Sequence, residues 1–161
     1  VNKSFSPQEA LTLFNRRLYH LPIEKKHCAS FYFEINPSSN ELIYSDAGIG
    51  FAFLLRDDKL IDLKDEGGLL LGAFQNVQYS EGKYLLLPGD QILVGTDGVI
   101  DLKNQAGERL GMDRFMSVLD SYDFHHHDLC TYIYEYLLSY SGQLHHPDDD
   151  ITFLTICFKG E

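Results

Sequence analysis

The sequence predicts an α+β domain with helices packed on antiparallel sheet. Its first half contains short aromatic and β-branched runs separated by turn-forming residues, which is the pattern of antiparallel strands. Two later segments carry apolar residues at helical spacing, and the last apolar run predicts another strand. The resulting order is one helix, several strands, two helices and a final strand, and this order is typical of the α+β class.

The first helix is predicted from its start signals. Ser6 can act as the N-cap, Pro7 suits the first turn, and Glu9 stands three residues after Ser6, as in a capping box. Apolar residues then recur at helical spacing, at Leu11, Phe14 and Leu18. We therefore expect a helix over residues 6–19 with one apolar face.

Turn-forming residues divide the following part into three expected hairpins. Their strand pairs are residues 29–35 with 41–45, 51–56 with 59–63, and 84–87 with 91–95. The turns that join these strands are residues 36–40, residues 57–58 and the sequence Pro88-Gly89-Asp90. Residues 46–48, Asp-Ala-Gly, are expected to break the second strand.

The remaining elements are two helices and one strand. Residues 112–120 and 127–140 carry apolar side chains at helical spacing, and residues 151–158 form a β-branched and aromatic run. We expect this last strand to be buried. Four tyrosines of the second helix are expected to pack in the core, with partner binding as the alternative: Tyr132, Tyr134, Tyr136 and Tyr140.

Length and composition predict one soluble domain over residues 1–161, without a signal peptide or an apolar run that could cross a bilayer. The formal net charge of −11 would repel nucleic acid and anionic membranes, so neither is expected as a partner.

Three widely spaced cysteines, Cys28, Cys130 and Cys157, are expected to be reduced, buried thiols in a cytoplasm. The first residue is Val1 rather than Met, which favours a segment of a longer protein.

Two acidic segments carry most of the chemistry that the sequence offers. Asp97 and Gly98 directly follow an apolar strand. Three consecutive acids directly precede the final strand: Asp148, Asp149 and Asp150. Carboxylates without Cys, and without His at ligand spacing, favour hard cations such as Mg²⁺ or Mn²⁺. Asp-Gly is also a common turn and acidic clusters are often solvated loops, so residue type alone leaves both interpretations open.

Other chemistries have less support. The histidines at 125–127 and 145–146 are expected to be surface residues rather than ligands of a transition metal. The sequence contains no G-x-S-x-G elbow for a nucleophilic serine, and no Walker A or G-x-G-x-x-G phosphate loop.

Several short motifs follow one another along the chain. Residues 88–99 combine Pro-Gly-Asp, an apolar strand and Thr-Asp-Gly-Val, residues 104–111 fit N-x-x-G-E-x-x-G, and residues 149–152 read Asp-Asp-Ile-Thr. Upstream, residues 67–72 fit GG-x-x-LG, while residues 36–37 and 46–48 read Asn-Pro and Asp-Ala-Gly. Each motif is weak alone. In this order, and over nearly all of the chain, they resemble the C-terminal part of the SpoIIE-like branch of the PPM family, the metal-dependent Ser/Thr protein phosphatases.

The resemblance implies a fold, a metal site and a reaction. The fold would be two antiparallel sheets stacked as a sandwich, with helices outside. Asp97 and Asp149 would coordinate one ion of a two-metal Mn²⁺ or Mg²⁺ site, with Gly98, Asp148 and Asp150 beside these ligands. The reaction would be hydrolysis of phosphoserine or phosphothreonine on a partner protein by a metal-activated water. The branch further implies bacterial signalling, with phosphorylated anti-sigma-factor antagonists as substrates.

Two departures limit these expectations. The family's G-D-x-x-G-x-G motif, which supplies the Asp that bridges both metals, is absent from the sequence together with the N-terminal strands. The isolated segment is therefore expected to be inactive, with exposed apolar edges that a second copy in a homodimer, or a separate chain, would cover. Asp46 and Ile49 stand where the family has Asn and His, at a corner that we expect to be structural.

Two alternatives to a protein phosphatase stay open. A catalytically degenerate relative would keep the fold and bind a regulatory partner, and a metal-dependent hydrolase of small phosphoesters would use the same acidic clusters. An upstream Asp-x-x-Gly motif would favour the enzyme. A preference for phosphoprotein over a small aryl phosphate would favour the protein substrate.

Overall fold

Two antiparallel sheets and three helices make up the described part of the chain, so the predicted α+β class is confirmed. The structure is a computed structural model that describes residues 5–24, 27–57, 59–64, 68–123, 128–142 and 149–160. Its helices are α1 (Pro7–Tyr19), α2 (Met112–Asp120) and α3 (Leu129–Ser141). Its strands are β1 (Ser30–Asn36), β2 (Glu41–Ala47), β3 (Phe51–Arg56), β4 (Lys59–Asp62), β5 (Gly82–Leu85), β6 (Gln91–Gly95) and β7 (Phe153–Cys157). None of the described helices combines the length and apolar content that a bilayer crossing requires.

The chain divides into two compact units. The first contains Val1–Ile49, Leu63–Gly89 and Phe158–Glu161, and holds α1 with the sheet β1-β2-β5. The second contains Gly50–Asp62 and Asp90–Cys157, and holds α2 and α3 with the sheet β4-β3-β6-β7. Each unit has its own apolar cluster. The single domain over residues 1–161 stays a prediction.

Helix α1 begins as predicted. Ser6 is the N-cap, with the Glu9 amide donating to Ser6 Oγ at 3.4 Å and the Ser6 amide donating to Glu9 Oε2 at 3.2 Å. Leu11 packs in the cluster of the first unit, whose other buried members are Ala47, Leu71, Val77 and Tyr79. The predicted apolar face is wrong at Phe14, which is 61% exposed, because the helix turns the neighbouring Asn15 toward the interior instead.

Asn15 is buried without leaving its amide group unsatisfied. Its Oδ1 accepts from the Gly72 amide at 2.7 Å, and its Nδ2 donates to the Phe74 carbonyl at 3.0 Å. These bonds offset the cost of burying a polar side chain. They also attach the loop that follows residue 71 to α1.

The sheet of the first unit begins with the predicted hairpin of β1 and β2. Its register runs from Ser30 opposite Ala47 to Asn36 opposite Glu41, and Asn40 has a φ of 55° in the turn. Strand β2 extends two residues into the expected break, because Asp46 and Ala47 still pair with β1.

The predicted hairpin across Pro88-Gly89-Asp90 is wrong. Strand β5 pairs with β2, whereas β6 pairs with β3 on one side and β7 on the other. The turn residues reverse the chain, with Gly89 at a φ of 97°, but they connect strands of different sheets. A turn sequence fixes the local backbone path and not the partner of the strand that follows.

The second unit has the larger core. Strand β3 is buried along nearly its whole length and pairs with β4 across the predicted turn at Asp57, while residue 58 lies outside the described residues. Its core cluster combines buried side chains of strands and helices, among them Phe51, Leu93, Phe115 and Ile133. Three of the four tyrosines of α3 pack against this cluster, but Tyr134 is 50% exposed, so that part of the prediction is wrong.

Two burial predictions are also wrong. The final strand is not fully buried, because β7 lies at the edge of its sheet and Leu154 is 51% exposed. The three cysteines are free but exposed, rather than buried.

The α3 helix begins at Leu129, with Asp128 as its N-cap, and the predicted start at residue 127 lies outside the described residues.

A buried ion pair holds the start of β6. Arg56, the last residue of β3, donates from Nε to Asp90 Oδ1 at 2.9 Å and from Nη2 to Asp90 Oδ2 at 2.6 Å. The Asp90 side chain is only 2% exposed. The pair is bidentate and largely shielded from water, so it fixes the end of the β3–β6 ladder more strongly than a surface pair would.

We expect Asp90→Ala to lower the free energy of unfolding by about 2 kcal/mol, because Arg56 would lose its bidentate contact with a buried carboxylate. Urea denaturation followed by circular dichroism measures this change. Asp101→Ala is the matched control, since Asp101 pairs with Arg109 at 2.9 Å with both side chains exposed. The control should lower the free energy of unfolding by less than about 1 kcal/mol. Equal losses in the two variants would contradict this role of the Arg56–Asp90 pair.

Candidate metal site

The two acidic segments meet at one end of the β6–β7 pair. These strands are antiparallel, with Gly95 opposite Phe153, so the residues that leave β6 lie beside those that enter β7. The Thr96 amide donates to the Thr152 carbonyl at 2.9 Å. Thr96 Oγ1 lies 3.3 Å from the carbonyl oxygens of both Asp150 and Thr152. The tertiary structure therefore brings together segments that are more than fifty residues apart in the chain.

Because Gly98 has no side chain, the Asp150 backbone can approach it closely. A Cβ atom at Gly98 would overlap the carbonyl oxygen of Asp150 and lie 3.0 Å from its carbonyl carbon. On the other side, a Cβ atom at Gly50 would overlap the backbone at Thr96 and Asp97. The segment that carries Asp97 thus approaches Gly50 and the Asp150 backbone at distances that a larger residue at position 50 or 98 would exclude.

The described carboxylates of the site are exposed to solvent. Asp97, Asp149 and Asp150 all have exposed side chains. The Asp97 carbonyl accepts from the Asp101 amide at 2.9 Å, which forms the turn after β6, and the Asp150 amide donates to Asp149 Oδ1 at 2.8 Å. A hydrated cation could reach carboxylates that are exposed in this way. Asp148 lies outside the described residues.

The donor set fits part of a metal site. Carboxylate oxygens are the ligands that Mg²⁺ and Mn²⁺ prefer, and the Gly98 contact brings the two acidic segments within reach of each other. Among the described residues, no group of three or more His, Cys, Asp or Glu side chains is arranged to hold an ion. The described residues thus offer an incomplete set of ligands. The histidines at 125–127 and 145–146 lie outside the described ranges.

Asp46 lies in the first unit, where its buried carboxylate contacts the neighbouring backbone. Asp46 is 3% exposed, and its Oδ1 accepts from the Ile49 amide at 2.9 Å. A Cβ atom at Gly68 would overlap Asp46 Oδ2, so the loop approaches this carboxylate closely. Burial raises the pKa of Tyr79 to about 12, and electrostatic interactions with Cys28 and Asp46 raise this pKa further.

Sequence reasoning missed two contributors to the candidate metal site. Thr96 was part of a recognised motif, but the contacts of its hydroxyl group become visible only when β7 is placed beside β6. Gly50 belongs to none of the motifs, because its importance comes from the approach of Thr96 and Asp97 across the β3–β6 pair. An unexplained Gly at the start of a buried strand is the kind of signal that could have indicated such a contact.

Comparison with known proteins identifies the family. The family model described as Stage II sporulation protein E (SpoIIE) matches residues 1–159. Phosphoserine phosphatase RsbU of Bacillus subtilis (strain 168) is 28% identical over 103 residues, which are 63% of this chain and 30% of RsbU. The chain thus spans less than a third of that relative.

Solved structures show the same fold. The SiaA-PP2C domain of Pseudomonas aeruginosa has a TM-score of 0.80 at 21% identity, covering 95% of this chain and 61% of that one. The phosphatase domain of the cell fate determinant SpoIIE from Bacillus subtilis, presoaked with Mn, has a TM-score of 0.67 at 13% identity, with coverages of 99% and 69%. The RsbU and RsbW domains of Rv1364c from Mycobacterium tuberculosis reach 0.67 at 24% identity, with coverages of 94% and 42%. Because the family model extends over nearly the whole chain, the chain belongs to the SpoIIE family, the SpoIIE-like branch of the PPM phosphatases.

Proposed function

We propose that the protein is a metal-dependent phosphatase that removes phosphate from serine or threonine of a partner protein. The observation that carries this proposal is the contact between the Thr96–Gly98 segment and the Asp150 backbone. This contact places the carboxylate-bearing residues Asp97 and Asp149 on adjoining segments, as a shared cation requires. Membership of the SpoIIE family and the likeness to phosphoserine phosphatase RsbU support the same activity.

Asp97 and Asp149 would hold one Mn²⁺ or Mg²⁺ ion, and Gly98 and Asp150 would keep the two ligands in place. A second set of ligands, including a bridging carboxylate, would come from residues outside this sequence. Metal ions of this kind supply charge neutralisation at a phosphate and an activated water. The exposed site leaves room for a phosphorylated loop of another protein.

Cys157 does not fit the role of a nucleophile at this site. Cys157 pairs with Gln91, at the end of β6 opposite to Asp97. A thiolate there is separated from the acidic residues by the length of the strand, about 13 Å for four residues. The proposed reaction transfers the phosphate directly to water, without a covalent intermediate on Cys157.

The proposed substrate is a phosphorylated anti-sigma-factor antagonist in bacterial partner switching, which would place the protein in the cytoplasm. The relatives RsbU and the RsbU and RsbW domains of Rv1364c support this class of system. A homodimer is part of the same proposal, since a second copy would cover the apolar edges that the sequence predicts. The net charge of −11 favours partners other than nucleic acid and anionic membrane.

The second candidate is a non-catalytic domain that binds a regulatory partner. The incomplete set of ligands among the described residues favours it. Activity of the full natural polypeptide that contains these residues separates the two candidates, because a degenerate domain would release no phosphate from any phosphoprotein.

We expect Asp97→Asn to reduce Mn²⁺-dependent phosphatase activity of the full polypeptide at least about 100-fold, since an amide would replace a charged ligand oxygen. Release of phosphate from a phosphoserine protein measures the rate. Asp101→Asn is the control, because this exposed acid lies four residues away and pairs with Arg109. Equal activity of Asp97→Asn and the unmodified protein would refute the role given to Asp97.

Gly98→Ala should reduce Mn²⁺ binding and activity at least about 10-fold, because the added methyl group would push the Asp150 segment away. Isothermal titration with Mn²⁺ measures the binding. Gly107→Ala is the control for losing a glycine, since Gly107 has a φ of 79° and nothing within 4 Å of an added Cβ atom. That variant should lose stability, by about 1 kcal/mol, but keep its affinity for the metal. A Gly98→Ala protein with unchanged affinity would argue against the close contact as a requirement.

A further inference from the structure

The hydroxyl group of Thr96 completes the last rung of the β6–β7 ladder. In a hydrogen-bonded antiparallel pair, each residue donates its amide to the carbonyl of the other. The Thr96 amide donates to the Thr152 carbonyl at 2.9 Å in this way. The Thr96 carbonyl, however, accepts from the Val99 amide at 3.3 Å. In its place, Thr96 Oγ1 accepts from the Thr152 amide at 3.2 Å.

Because the hydroxyl group replaces the carbonyl as the acceptor, the chain can turn after β6 while β7 stays hydrogen-bonded to it. The Thr96 carbonyl closes the turn from Thr96 to Val99, which contains Asp97. Its hydroxyl group meanwhile keeps the Thr152 amide bonded to β6. Asp97 can thus turn away from the sheet directly after β6, while the β7 side stays hydrogen-bonded to the β6 side at Thr152.

The same hydroxyl group also reaches the acidic segment. Thr96 Oγ1 lies 3.3 Å from both the Asp150 and Thr152 carbonyl oxygens, so its hydrogen can be donated to either. The Asp150 amide in turn donates to Asp149 Oδ1 at 2.8 Å. When the hydrogen is donated to the Asp150 carbonyl, the Thr96 hydroxyl group is linked to the Asp149 carboxylate through the covalent backbone of Asp150 and the hydrogen bond of its amide.

We propose that Thr96 is a positioning residue that sets the separation of the Asp97 and Asp149 carboxylates through its hydroxyl group. This inference rests on the proposed metal-dependent function and adds a specific determinant of its metal affinity. The hydroxyl group acts through the backbone of Asp150 and Thr152. Residues that orient metal ligands in this way typically change metal affinity 10–100-fold when they are replaced.

Thr96→Val tests the hydroxyl group because valine keeps the β-branched shape and removes both the donor and the acceptor. Thr96→Ser restores the hydroxyl group. Thr155→Val is the matched control, since Thr155 lies within β7 opposite Leu93 and loses the same group away from the acidic segments. Each variant is made in the full natural polypeptide that contains these residues.

Two readouts are measured. The dissociation constant for Mn²⁺ is obtained from the electron paramagnetic resonance signal of the free ion, and the hydrogen exchange rate of the Thr152 amide is obtained by NMR. We expect Thr96→Val to weaken Mn²⁺ binding about 10-fold or more and to speed exchange at Thr152 about 10-fold, with Thr96→Ser within about 3-fold of the unmodified protein for both. Thr155→Val should change neither quantity by more than about 3-fold.

The outcomes separate this inference from the function on which it rests. If the unmodified polypeptide binds Mn²⁺ and Thr96→Val binds it equally well, the positioning role is overturned and the proposed phosphatase is not. Unchanged exchange at Thr152 in Thr96→Val would overturn the hydrogen-bonded rung itself. If the unmodified polypeptide shows no saturable Mn²⁺ binding, the proposed metal-dependent function fails, and the role of Thr96 in it fails as well.

Discussion

The antiparallel pairing of β6 with β7 is the constraint on which the candidate metal site depends. Antiparallel strands place the end of one beside the beginning of the other, so Gly95 and Phe153 face each other although they are far apart in sequence. The acidic residues just outside these positions must then lie at the same end of the sheet. Strand β6 is also held by β3 on its other side, so the position of Asp97 is set by two neighbours rather than one.

Each end of β6 has a separate anchor. At its start, the buried Asp90 carboxylate pairs with Arg56 of β3, and at its end the Thr96 hydroxyl group bonds to the backbone of the β7 side. The first anchor combines charge with burial, whereas the second lies near solvent and uses weaker hydrogen bonds. This difference suits the two locations. The Asp90 carboxylate at the first end is shielded from water, whereas the second end leaves the Asp97 side chain exposed to solvent.

Local sequence signals predicted most helices and strands, but they failed where the result depended on which strands pair with each other. The capping box of α1, the turn after β1 and the helical spacing of α2 depend on residues close in sequence, and the structure agrees with them. The hairpin predicted for β5 and β6 was wrong, because a Pro-Gly-Asp turn reverses the chain but leaves the choice of neighbour to the whole sheet. Burial of β7 was overestimated for the same reason, since an apolar run does not reveal that its strand lies at an edge.

The sequence by itself determined the fold class, the start of α1 and the two acidic segments, because these follow from residue type and short spacing. Its ordered motifs also led to the family. Only the tertiary structure decided that Gly98 touches the Asp150 carbonyl, that Gly50 supports the Asp97 backbone and that the Thr96 hydroxyl group replaces a carbonyl in the ladder. The physical reason is that such contacts join backbone atoms of distant segments, whose meeting depends on the packing and pairing of the entire sheet.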